Sequence, residues 1–413
     1  MTLPLTLYGV VTGLLEPLAP KILRARARDG KEDPARLGER LGRARTPRPA
    51  GPLVWLHGVS VGEAVSLLPL MDALRARRPG LNLLVTSGTV TSAQVLADRL
   101  PPGVIHQFAP VDAPGAVRRF LDHWRPDLGV FVESELWPNL ILGARRRGVR
   151  LALVSARITE GSARGWARLP ASARTLLSAF DAVLPQDAAT EVRLTALGAI
   201  VGPRLNLKHV GEPLPCDEAE LARLRKAVGD RQVVLAASTH PGEEAIVAEA
   251  VRQAAPDVLL IVAPRHPERG EALAAELQAP RRSAGALPDA GSVHVADTLG
   301  ELGLFFRLAD VVVMGGSFVP GIGGHNPLEP ARLGCAIVTG PDVFNAADLY
   351  AEMTAEGAAI QVTGAEGLGQ AARRLLDDPA AARRMGEVAL AYAALQGRAL
   401  ETALAALDPL LPA

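Results

Sequence analysis

The chain has 413 residues, which at roughly 150 residues per domain predicts two or three domains. Apolar residues make up 48% and charged residues 21%, so disorder of the whole chain is excluded. The 44 Lys and Arg residues balance 44 Asp and Glu residues, and aromatic residues make up only 4%. Because binding to a phosphate backbone needs a basic excess and base stacking needs aromatic side chains, we expect no nucleic-acid partner.

The first segment, residues 1–15, carries no charged side chain, and Glu16 and Pro17 then interrupt the apolar run. About 20 apolar residues are needed to span a bilayer as a helix, so this run is short. Residues 21–45 follow with nine Lys and Arg against four Asp and Glu. The pattern fits an anchor whose basic side faces anionic lipid at a cytoplasmic surface. It fits equally a buried N-terminal helix followed by a solvated basic linker.

Short apolar runs alternate with helical patterns, such as Gly62–Arg77 and Ala116–His123, along the rest of the chain. The first set of predicted strands is Leu53–Leu56, Leu83–Thr86, Gly129–Val132, Leu151–Val154, Ala182–Leu184 and Ile200–Val201. The second set is Val233–Ala236, Leu259–Val262, Val293–Val295, Val311–Met314, Ala336–Val338 and Ala359–Val362. Strands that alternate with helices predict parallel sheets with crossover helices, which is the α/β fold class.

A segment rich in Pro and Gly, Gly202–Cys216, separates the two sets of strands. We therefore predict a membrane-associated anchor and basic segment at 1–45 and a Rossmann-like domain at 46–205. A linker at 206–216 and a second Rossmann-like domain with terminal helices at 217–413 complete the prediction. Open parallel sheets bind ligands beyond the carboxyl ends of their strands, so we expect a ligand in a cleft between the two domains.

The segment His57–Glu63 follows the first predicted strand and opens a helix. Glu63 would project from the first helical turn, where a carboxylate can act as a general base. Ser60 and Glu63 also have the S-x-x-E spacing of a capping box, in which the Glu side chain bonds the backbone at its own helix terminus. The spacing leaves both interpretations open and slightly favours the cap.

Two further segments follow predicted strands. Glu133, Glu135 and Trp137 combine carboxylates with a flat aromatic face, which suits a sugar, although a strand-to-helix turn with a packed Trp is an equal alternative. Arg265 ends a strand of the second set, where its planar guanidinium could pair with a phosphate or simply lie on a solvated loop.

The strongest segment is rich in glycine and runs from Met314 to Ser317 and on from Gly321 to Pro330. Free backbone N–H groups in a loop between a strand and a helix bind anions. Asn326 is the predicted helix cap, with Pro327 first and Glu329 third in the helix, and a carboxylate beside a phosphate site commonly binds ribose hydroxyls. The segment therefore favours a nucleotide site over a capping box in which Glu329 only bonds the backbone.

Several familiar signals are missing from the sequence. It contains no dinucleotide-binding G-x-G-x-x-G with a suitably spaced acidic residue, no G-x-x-x-x-G-K-[ST] loop, no D-x-D pair and no metal-ligand cluster of His or Cys. The sequence therefore offers no recognisable dinucleotide, P-loop or metal-binding motif.

Taken together, eight motifs resemble those of the 3-deoxy-D-manno-octulosonic acid (Kdo) transferase family. They are WLHGVSVGEA at 55–64, FVESELWPNL at 131–140, SARITEGSARGW at 155–166, LNLKH at 205–209, ASTHPGEE at 237–244, APRHPER at 263–269, DTLGEL at 297–302 and MGGSFVPGIGGHNPLEP at 314–330. The sequence departs from the family pattern at Ser134 and at His209–Val210, on the acceptor side.

The resemblance implies an α/β fold of the glycosyltransferase B (GT-B) type, with two Rossmann-like, doubly wound parallel-sheet domains facing an interdomain cleft. It implies an inverting transfer of Kdo from CMP-Kdo to the lipid A precursor lipid IVA in lipopolysaccharide core biosynthesis, with no metal or other cofactor. The expected location is the cytoplasmic side of the cell inner membrane, where the N-terminal segment would hold the enzyme on anionic lipid.

The resemblance also assigns residues by their positions in the matched motifs. Glu63 takes the position of the general base. The positions that bind CMP are Pro264, Arg265, Gly300, Glu301, Leu302, Asn326, Pro327, Leu328 and Glu329. The alternatives are another GT-B enzyme of nucleotide sugars, either a UDP-sugar transferase or an epimerase, and a non-catalytic, membrane-associated relative.

Overall fold

The computed structural model describes residues 2–289 and 291–412, in two compact units. One unit comprises Met1–Val210 and Gln396–Ala413, and the other comprises Gly211–Leu395. The division at Val210 lies inside the segment 206–216 that the sequence predicts as a linker. Met1, Ala290 and Ala413, which belong to the predicted domains 1–45 and 217–413, lie outside the described residues.

The first unit is built on a parallel sheet with the strand order β3-β2-β1-β4-β5-β6 in the described residues. The strands are β1 Leu53–His57, β2 Asn82–Ser87, β3 Ile105–Phe108, β4 Leu128–Val132, β5 Arg150–Ala156 and β6 Ala182–Pro185. The helices up to the division are α1 Leu3–Leu15, α2 Ala19–Arg28, α3 Leu37–Arg40, α4 Val61–Ser66, α5 Leu68–Arg77, α6 Val90–Arg99, α7 Pro114–Trp124, α8 Pro138–Arg145, α9 Glu160–Ala167, α10 Pro170–Leu177 and α11 Ala188–Ala196.

The continuous apolar runs of the strands follow from burial on both faces of the sheet. In β1, Leu53 and Trp55 pack in the core on one face, and Val54 and Leu56 pack in a separate core on the other. Side chains alternate across a strand, so a strand covered by helices on both faces must be apolar at every position. This burial fixes β1 at the centre of the sheet and places the residues after it at the sheet's carboxyl edge.

The second unit repeats the architecture, with the strand order β12-β11-β10-β7-β8-β9 in the part of the chain described. The strands are β7 Val233–Thr239, β8 Leu259–Pro264, β9 Val293–Val295, β10 Val311–Met314, β11 Ala336–Thr339 and β12 Ile360–Gln361. The helices are α12 Glu218–Val228, α13 Glu243–Ala254, α14 Gly270–Glu276, α15 Leu302–Leu308, α16 Leu328–Ala331, α17 Ala347–Glu356 and α18 Gly364–Asp377. Two parallel-sheet α/β units are therefore confirmed.

The sequence prediction was wrong at three elements. Ile200–Val201 is a loop in which Ile200 is 94% exposed, and β3 was not predicted. β3 escaped detection because polar His106 and Gln107 interrupt its short apolar pattern. The helix predicted at Gly62–Arg77 is two helices, α4 and α5, which meet at Leu67 just before a Pro.

The last two helices are α19 Pro379–Gly397 and α20 Ala399–Leu407. The sequence assigned both to the second domain, and for α20 this was wrong. Its apolar face, with Ala403, Leu404 and Leu407, packs in the core that also contains Val54 and Leu56 of β1. The chain therefore ends in the first unit, because an Ala-rich helix with no strand of its own can bury its apolar face only against a sheet built elsewhere in the sequence.

The N-terminal helices pack against the first unit through polar contacts. The Tyr8 hydroxyl donates to Asp112 Oδ2 at 2.9 Å, and Glu16 accepts from the Gly115 N–H and from Arg119. The buried Glu39 carboxylate pairs with Arg36 at 2.7 Å. In residues 2–289 and 291–412, no helix combines the length and the apolar character needed to cross a bilayer.

His294 in β9 gives the second unit a pH-dependent stability. The residue is fully buried, and neither ring nitrogen has a hydrogen-bond partner among the described residues. Burial, with a contribution from Arg282, lowers the pKa of His294 from 6.5 to about 4. The unfolded state therefore binds the extra proton between these values, so the stabilisation is present above pH 6.5 and is lost as the pH falls toward 4.

We expect His294→Leu to flatten the pH dependence of the unfolding free energy by up to about 1.4 kcal/mol per pH unit in this window. Urea denaturation at a series of pH values from about 4 to 7 measures the slope. His266→Asn is the control, because the His266 side chain is 55% exposed. Equal slopes for wild type and His294→Leu would contradict the prediction.

Candidate active site

Glu63 lies at the carboxyl edge of the first sheet, in the first turn of α4, and is only 8% exposed. Its carboxylate turns toward the terminus of its own helix. Oε1 accepts from the Ser60 hydroxyl at 2.7 Å, and Oε2 accepts from the Val59 N–H at 2.7 Å. Ser60 Oγ in turn accepts from the Glu63 N–H at 3.3 Å. The capping interpretation of the S-x-x-E spacing thus describes the contacts that Glu63 makes.

The capping hydrogen bonds leave acceptor positions free on the Glu63 carboxylate. Each oxygen accepts one hydrogen bond, whereas an ionised carboxylate has about four acceptor positions. Burial raises the pKa of Glu63 above its usual value, the bonds from Ser60 and Val59 oppose that rise, and Glu135 and Glu133 add to it. A carboxylate with a raised pKa and free acceptor positions has the properties of a general base that works near neutral pH.

Glu133 follows β4 and pairs with Lys208 beside the same helix. Glu133 adopts φ 57°, a left-handed conformation that is uncommon for a residue with a side chain. Its Oε1 pairs with Lys208 Nζ, and a Cβ added at Gly62 would lie 3.6 Å from Lys208 Cε. The Lys208 side chain therefore passes the first turn of α4 at ordinary van der Waals distance, next to the segment that holds Glu63.

His57 ends β1 and faces Glu135. The imidazole is fully buried, its Nδ1 lies 2.8 Å from Thr86 Oγ1, and its Nε2 lies 3.7 Å from Glu135 Oε2. Thr86 Oγ1 also accepts from the Trp55 indole N–H at 2.7 Å, and its hydroxyl lies 3.4 Å from the Leu56 carbonyl oxygen, to which it can donate. The buried His57 ring therefore lies between the Thr86 hydroxyl and the Glu135 carboxylate.

The carboxyl edge of the second sheet brings together histidines and Arg265. His240 and His325 stack with ring centroids 5.1 Å apart, and their Nε2 atoms lie 2.9 Å apart. Burial lowers the pKa of His325 to about 4 and also lowers the pKa of His240, and Arg265 contributes to both shifts. Arg265, directly after β8, also lowers the pKa of Glu329, against the larger rise caused by burial. Arg265 and Glu329, predicted from sequence, therefore lie within electrostatic reach of each other.

The glycine-rich loop differs from its prediction, because Glu243 already occupies several of its N–H groups. The fully buried Glu243 carboxylate accepts from Gly316 at 2.6 Å and from Ser317 and Phe318 at 2.8 Å each. It also accepts from the His240 N–H at 2.9 Å. The expectation of free N–H groups at the start of the loop was therefore wrong, since a side chain of the protein supplies the anion there.

The glycine-rich loop ends in a turn before the short helix α16. Asn326 Oδ1 accepts from the Leu328 N–H at 3.1 Å, but the N-cap is the buried Pro327 and α16 begins at Leu328, so the predicted cap at Asn326 was wrong by one residue. No hydrogen bond from Glu329 to the cap occurs among the described contacts, so the reciprocal capping box considered from the sequence does not form. Arg332 and Arg265 both lower the pKa of the Glu329 carboxylate, against the larger rise caused by burial.

Gly300, Glu301 and Leu302 lie after the edge strand β9 and lead into α15. Glu301 accepts from Arg282 Nη2 at 2.7 Å and from Nε at 3.1 Å, and this pairing lowers the pKa of Glu301. Gly300 adopts φ 82°, which a side chain would strain. Among the described residues, no hydrogen bond or ion pair joins these three residues to Pro264, Arg265 or Glu329, so their place in one nucleotide site stays a prediction.

The sequence analysis did not identify His240, Glu243 or Lys208 as individual functional candidates. The polar segment Ser238–Glu244, directly after the central strand β7, could have indicated His240 and Glu243. No cluster of three or more His, Cys, Asp or Glu residues suited to a metal ion occurs in the described residues. The polar groups at the two sheet edges are therefore carboxylates, imidazoles and cationic side chains.

The fold is that of a two-unit α/β protein with polar groups at the carboxyl edges of both parallel sheets. The structure is similar to a glycosyltransferase from Rickettsia africae, with a TM-score of 0.57 over 88% of this chain and 99% of that one, at 12% identity. At that identity the likeness shows the fold alone, and it supports the predicted GT-B type.

Sequence comparison identifies the family. Residues 35–209 match the family model described as 3-deoxy-D-manno-octulosonic-acid transferase (kdotransferase). The chain is 37% identical to the 3-deoxy-D-manno-octulosonic acid transferase of Bordetella pertussis, covering 97% of this chain and 98% of the relative. It is 35% identical to the transferase of the same name from Rickettsia bellii, covering 90% of each. The chain belongs to the Kdo transferase family.

Proposed function

We propose that this protein transfers Kdo from CMP-Kdo to the lipid A precursor lipid IVA, with inversion at the anomeric carbon. The observation that carries the proposal is membership of the Kdo transferase family along nearly the whole chain, together with a buried carboxylate at position 63, where the family motif has its base. We assign the lipid acceptor to the carboxyl edge of the first sheet and the sugar-nucleotide donor to the carboxyl edge of the second.

In the proposed reaction Glu63 takes a proton from the acceptor hydroxyl as that oxygen attacks the anomeric carbon. A sugar hydroxyl is too weak an acid to react unaided, so its proton must leave as the bond forms. The raised pKa of Glu63 and its free acceptor positions support this role. Attack opposite the leaving cytidylate inverts the configuration in one displacement.

We assign the CMP moiety to the second unit. Arg265 supplies a fixed positive charge for the phosphate, and Glu329 supplies acceptor oxygens for ribose hydroxyls. Because Glu243 occupies the first N–H groups of the glycine-rich loop, we assign the phosphate to side chains rather than to that part of the loop. The proposed site uses no metal.

Calorimetric titration of the purified protein with CMP and with UDP tests the donor assignment. The proposal predicts that CMP binds at least tenfold more tightly than UDP and that Arg265→Ala weakens CMP binding. Glu268→Gln is a matched surface control, since its side chain is 75% exposed near the same strand end. UDP binding with no CMP binding would instead favour a UDP-sugar transferase or epimerase.

We also propose that α1 and α2 hold the enzyme on anionic lipid at the cytoplasmic face of the inner membrane, lying on the surface. Large apolar side chains at helical spacing stay exposed along this segment, among them Leu3 at 82%, Leu7 at 59% and Leu14 at 75%. The exposed Lys21, Arg24 and Arg28 follow on α2. An exposed apolar face beside cationic side chains suits an interfacial helix on an anionic surface.

Replacing Leu3, Leu7 and Leu14 together by Ser should lower the fraction bound to vesicles containing anionic lipid by at least about tenfold, because each Leu contributes roughly 1.5–3 kcal/mol when fully buried in an apolar phase. Vesicle flotation measures the bound fraction. The matched control replaces three other exposed apolar residues, Val192, Ile200 and Leu395, by Ser. Equal binding by wild type and the Leu3, Leu7 and Leu14 variant would refute the surface anchor.

A further inference from the structure

A cavity of about 250 Å³ opens at the carboxyl ends of β4 and β5 in the first unit. Its lining includes Glu135 and Trp137 from the segment after β4, and Arg157 and Trp166 from the segment after β5 and from α9. We call it the Arg157 cavity. Ligands of open parallel sheets bind at this edge, and neither the proposed base nor the proposed CMP site uses these four side chains.

Arg157 brings a positive charge to the lining of the cavity, which also contains the Glu135 carboxylate. Its backbone is fixed, since its N–H donates to Glu133 O at 3.3 Å and its carbonyl accepts from the Ser134 hydroxyl at 2.9 Å. Arg157 is exposed, and its guanidinium forms no hydrogen bond or ion pair with the described residues. An unpaired guanidinium carried on a fixed backbone position suits a carboxylate or phosphate, which it can bind through two parallel hydrogen bonds.

The two tryptophans supply the apolar part of the cavity. Trp137 is 41% exposed, and Trp166 is half-buried against the core of the first unit. Flat aromatic faces combined with a few convergent polar groups are typical of a small-molecule site. The size and lining suit one ring-shaped polar ligand with an apolar face.

Glu135 joins the cavity to the buried His57. Glu135 Oε2 accepts from the Trp137 indole N–H, and His57 Nε2 lies 3.7 Å away from the same oxygen with no hydrogen-bond partner of its own. A fully buried ring nitrogen without a hydrogen-bond partner is costly. When this nitrogen carries the ring proton, a shift of the carboxylate by about 1 Å toward His57 gives an ordinary N–H···O distance and releases the Trp137 N–H to a ligand.

We propose that the Arg157 cavity is a subsite for a sugar ring that carries an anionic group. Arg157 pairs with the anion, Trp137 and Trp166 pack against the ring, and Glu135, supported by His57, accepts hydrogen bonds from ring hydroxyls. The identity of the biological ligand of this subsite rests on the proposed function. That ligand is either a phosphorylated sugar of the acceptor or the carboxylate-bearing Kdo of the donor.

Tryptophan fluorescence tests the subsite without any reaction. Trp55 and Trp124 are 0% and 1% exposed, so an emission change on adding a sugar reports on Trp137 and Trp166. We expect glucosamine 6-phosphate or free Kdo to change the emission, and glucosamine and inorganic phosphate to bind at least tenfold more weakly. Arg157→Ala should weaken the binding of the anionic sugar at least tenfold, whereas Arg164→Ala, an exposed control on α9, should not. The subsite would be overturned if Arg157→Ala bound the anionic sugars with wild-type affinity, or if neither anionic sugar changed the emission of the wild-type protein.

Steady-state kinetics of Arg157→Ala then identify the source of the anion. A rise of at least tenfold in KM for the lipid A precursor, with KM for CMP-Kdo unchanged, assigns the subsite to the acceptor. A rise in KM for CMP-Kdo, with the affinity for CMP unchanged, assigns it to the donor sugar. Unchanged KM values for both substrates would overturn the proposal. If the wild-type protein binds the anionic sugars through Arg157 but does not transfer Kdo, the subsite stands and the proposed function is refuted.

Discussion

Glu63→Gln should lower kcat for Kdo transfer by about 10²- to 10⁴-fold, the usual loss when a general base is removed. Gln is nearly the same size and keeps one oxygen to accept a hydrogen bond, but it cannot take the proton of the acceptor hydroxyl. Its amide nitrogen cannot accept the bond that Oε2 receives from Val59, so we also expect the unfolding free energy to fall by about 1 kcal/mol. Initial rates with CMP-Kdo and the lipid A precursor, together with urea denaturation, measure both effects.

Two variants separate a base from a cap at this position. Ser60→Ala removes the capping hydroxyl and should cost about 1 kcal/mol of stability while leaving the base in place. Because the Ser60 bond lowers the pKa of Glu63, its loss should move the acidic limb of the pH–rate profile to higher pH. Glu191→Gln serves as a surface control. Transfer by Glu63→Gln within a few-fold of the wild-type rate would show that Glu63 acts as a helix cap alone.

Glu243→Gln should have the largest effect on the second unit. The Glu243 carboxylate accepts four backbone N–H bonds, two on each oxygen, from His240, Gly316, Ser317 and Phe318. An amide can accept at only one of its two ends, so two N–H groups would face an NH₂ group in a buried site. We expect a loss of about 3 kcal/mol in the unfolding free energy, since each unsatisfied buried donor costs about 1–3 kcal/mol.

The same substitution should weaken CMP binding, because it disturbs the loop that leads to Asn326 and Glu329. Urea denaturation and calorimetry with CMP measure the two effects. Glu249→Gln, at an exposed position of the same helix α13, should change neither. If Glu243→Gln has wild-type stability, the carboxylate does not hold the loop as its contacts indicate.

The central strands could be predicted because burial leaves a strong pattern. β10 and β9 have the predicted bounds, and β1 extends its prediction by one residue, since apolar residues at every position of a short run indicate a strand covered on both faces. α20 could be recognised as a helix but not assigned to its unit. Its apolar face is complementary to a core formed more than 300 residues earlier, and nothing in a helix pattern names its partner.

The candidate site shows the same division between local and distant contacts. The bond between Ser60 and Glu63 was foreseeable from a spacing of three residues. The occupation of the glycine-rich loop was not, because Glu243 is 73 residues from Gly316 in the chain. A glycine-rich segment predicts that some anion approaches the backbone, and only the folded chain shows that the anion at its start is a side chain.

Mass spectrometry of the reaction product tests Kdo transfer most directly. Wild-type protein incubated with CMP-Kdo and the lipid A precursor should yield acceptor heavier by one or more Kdo residues, and Glu63→Gln should yield almost none under the same conditions. The number of added mass increments also gives the number of sugars transferred. Acceptor of unchanged mass after incubation with folded, CMP-binding wild-type protein would contradict the proposed activity.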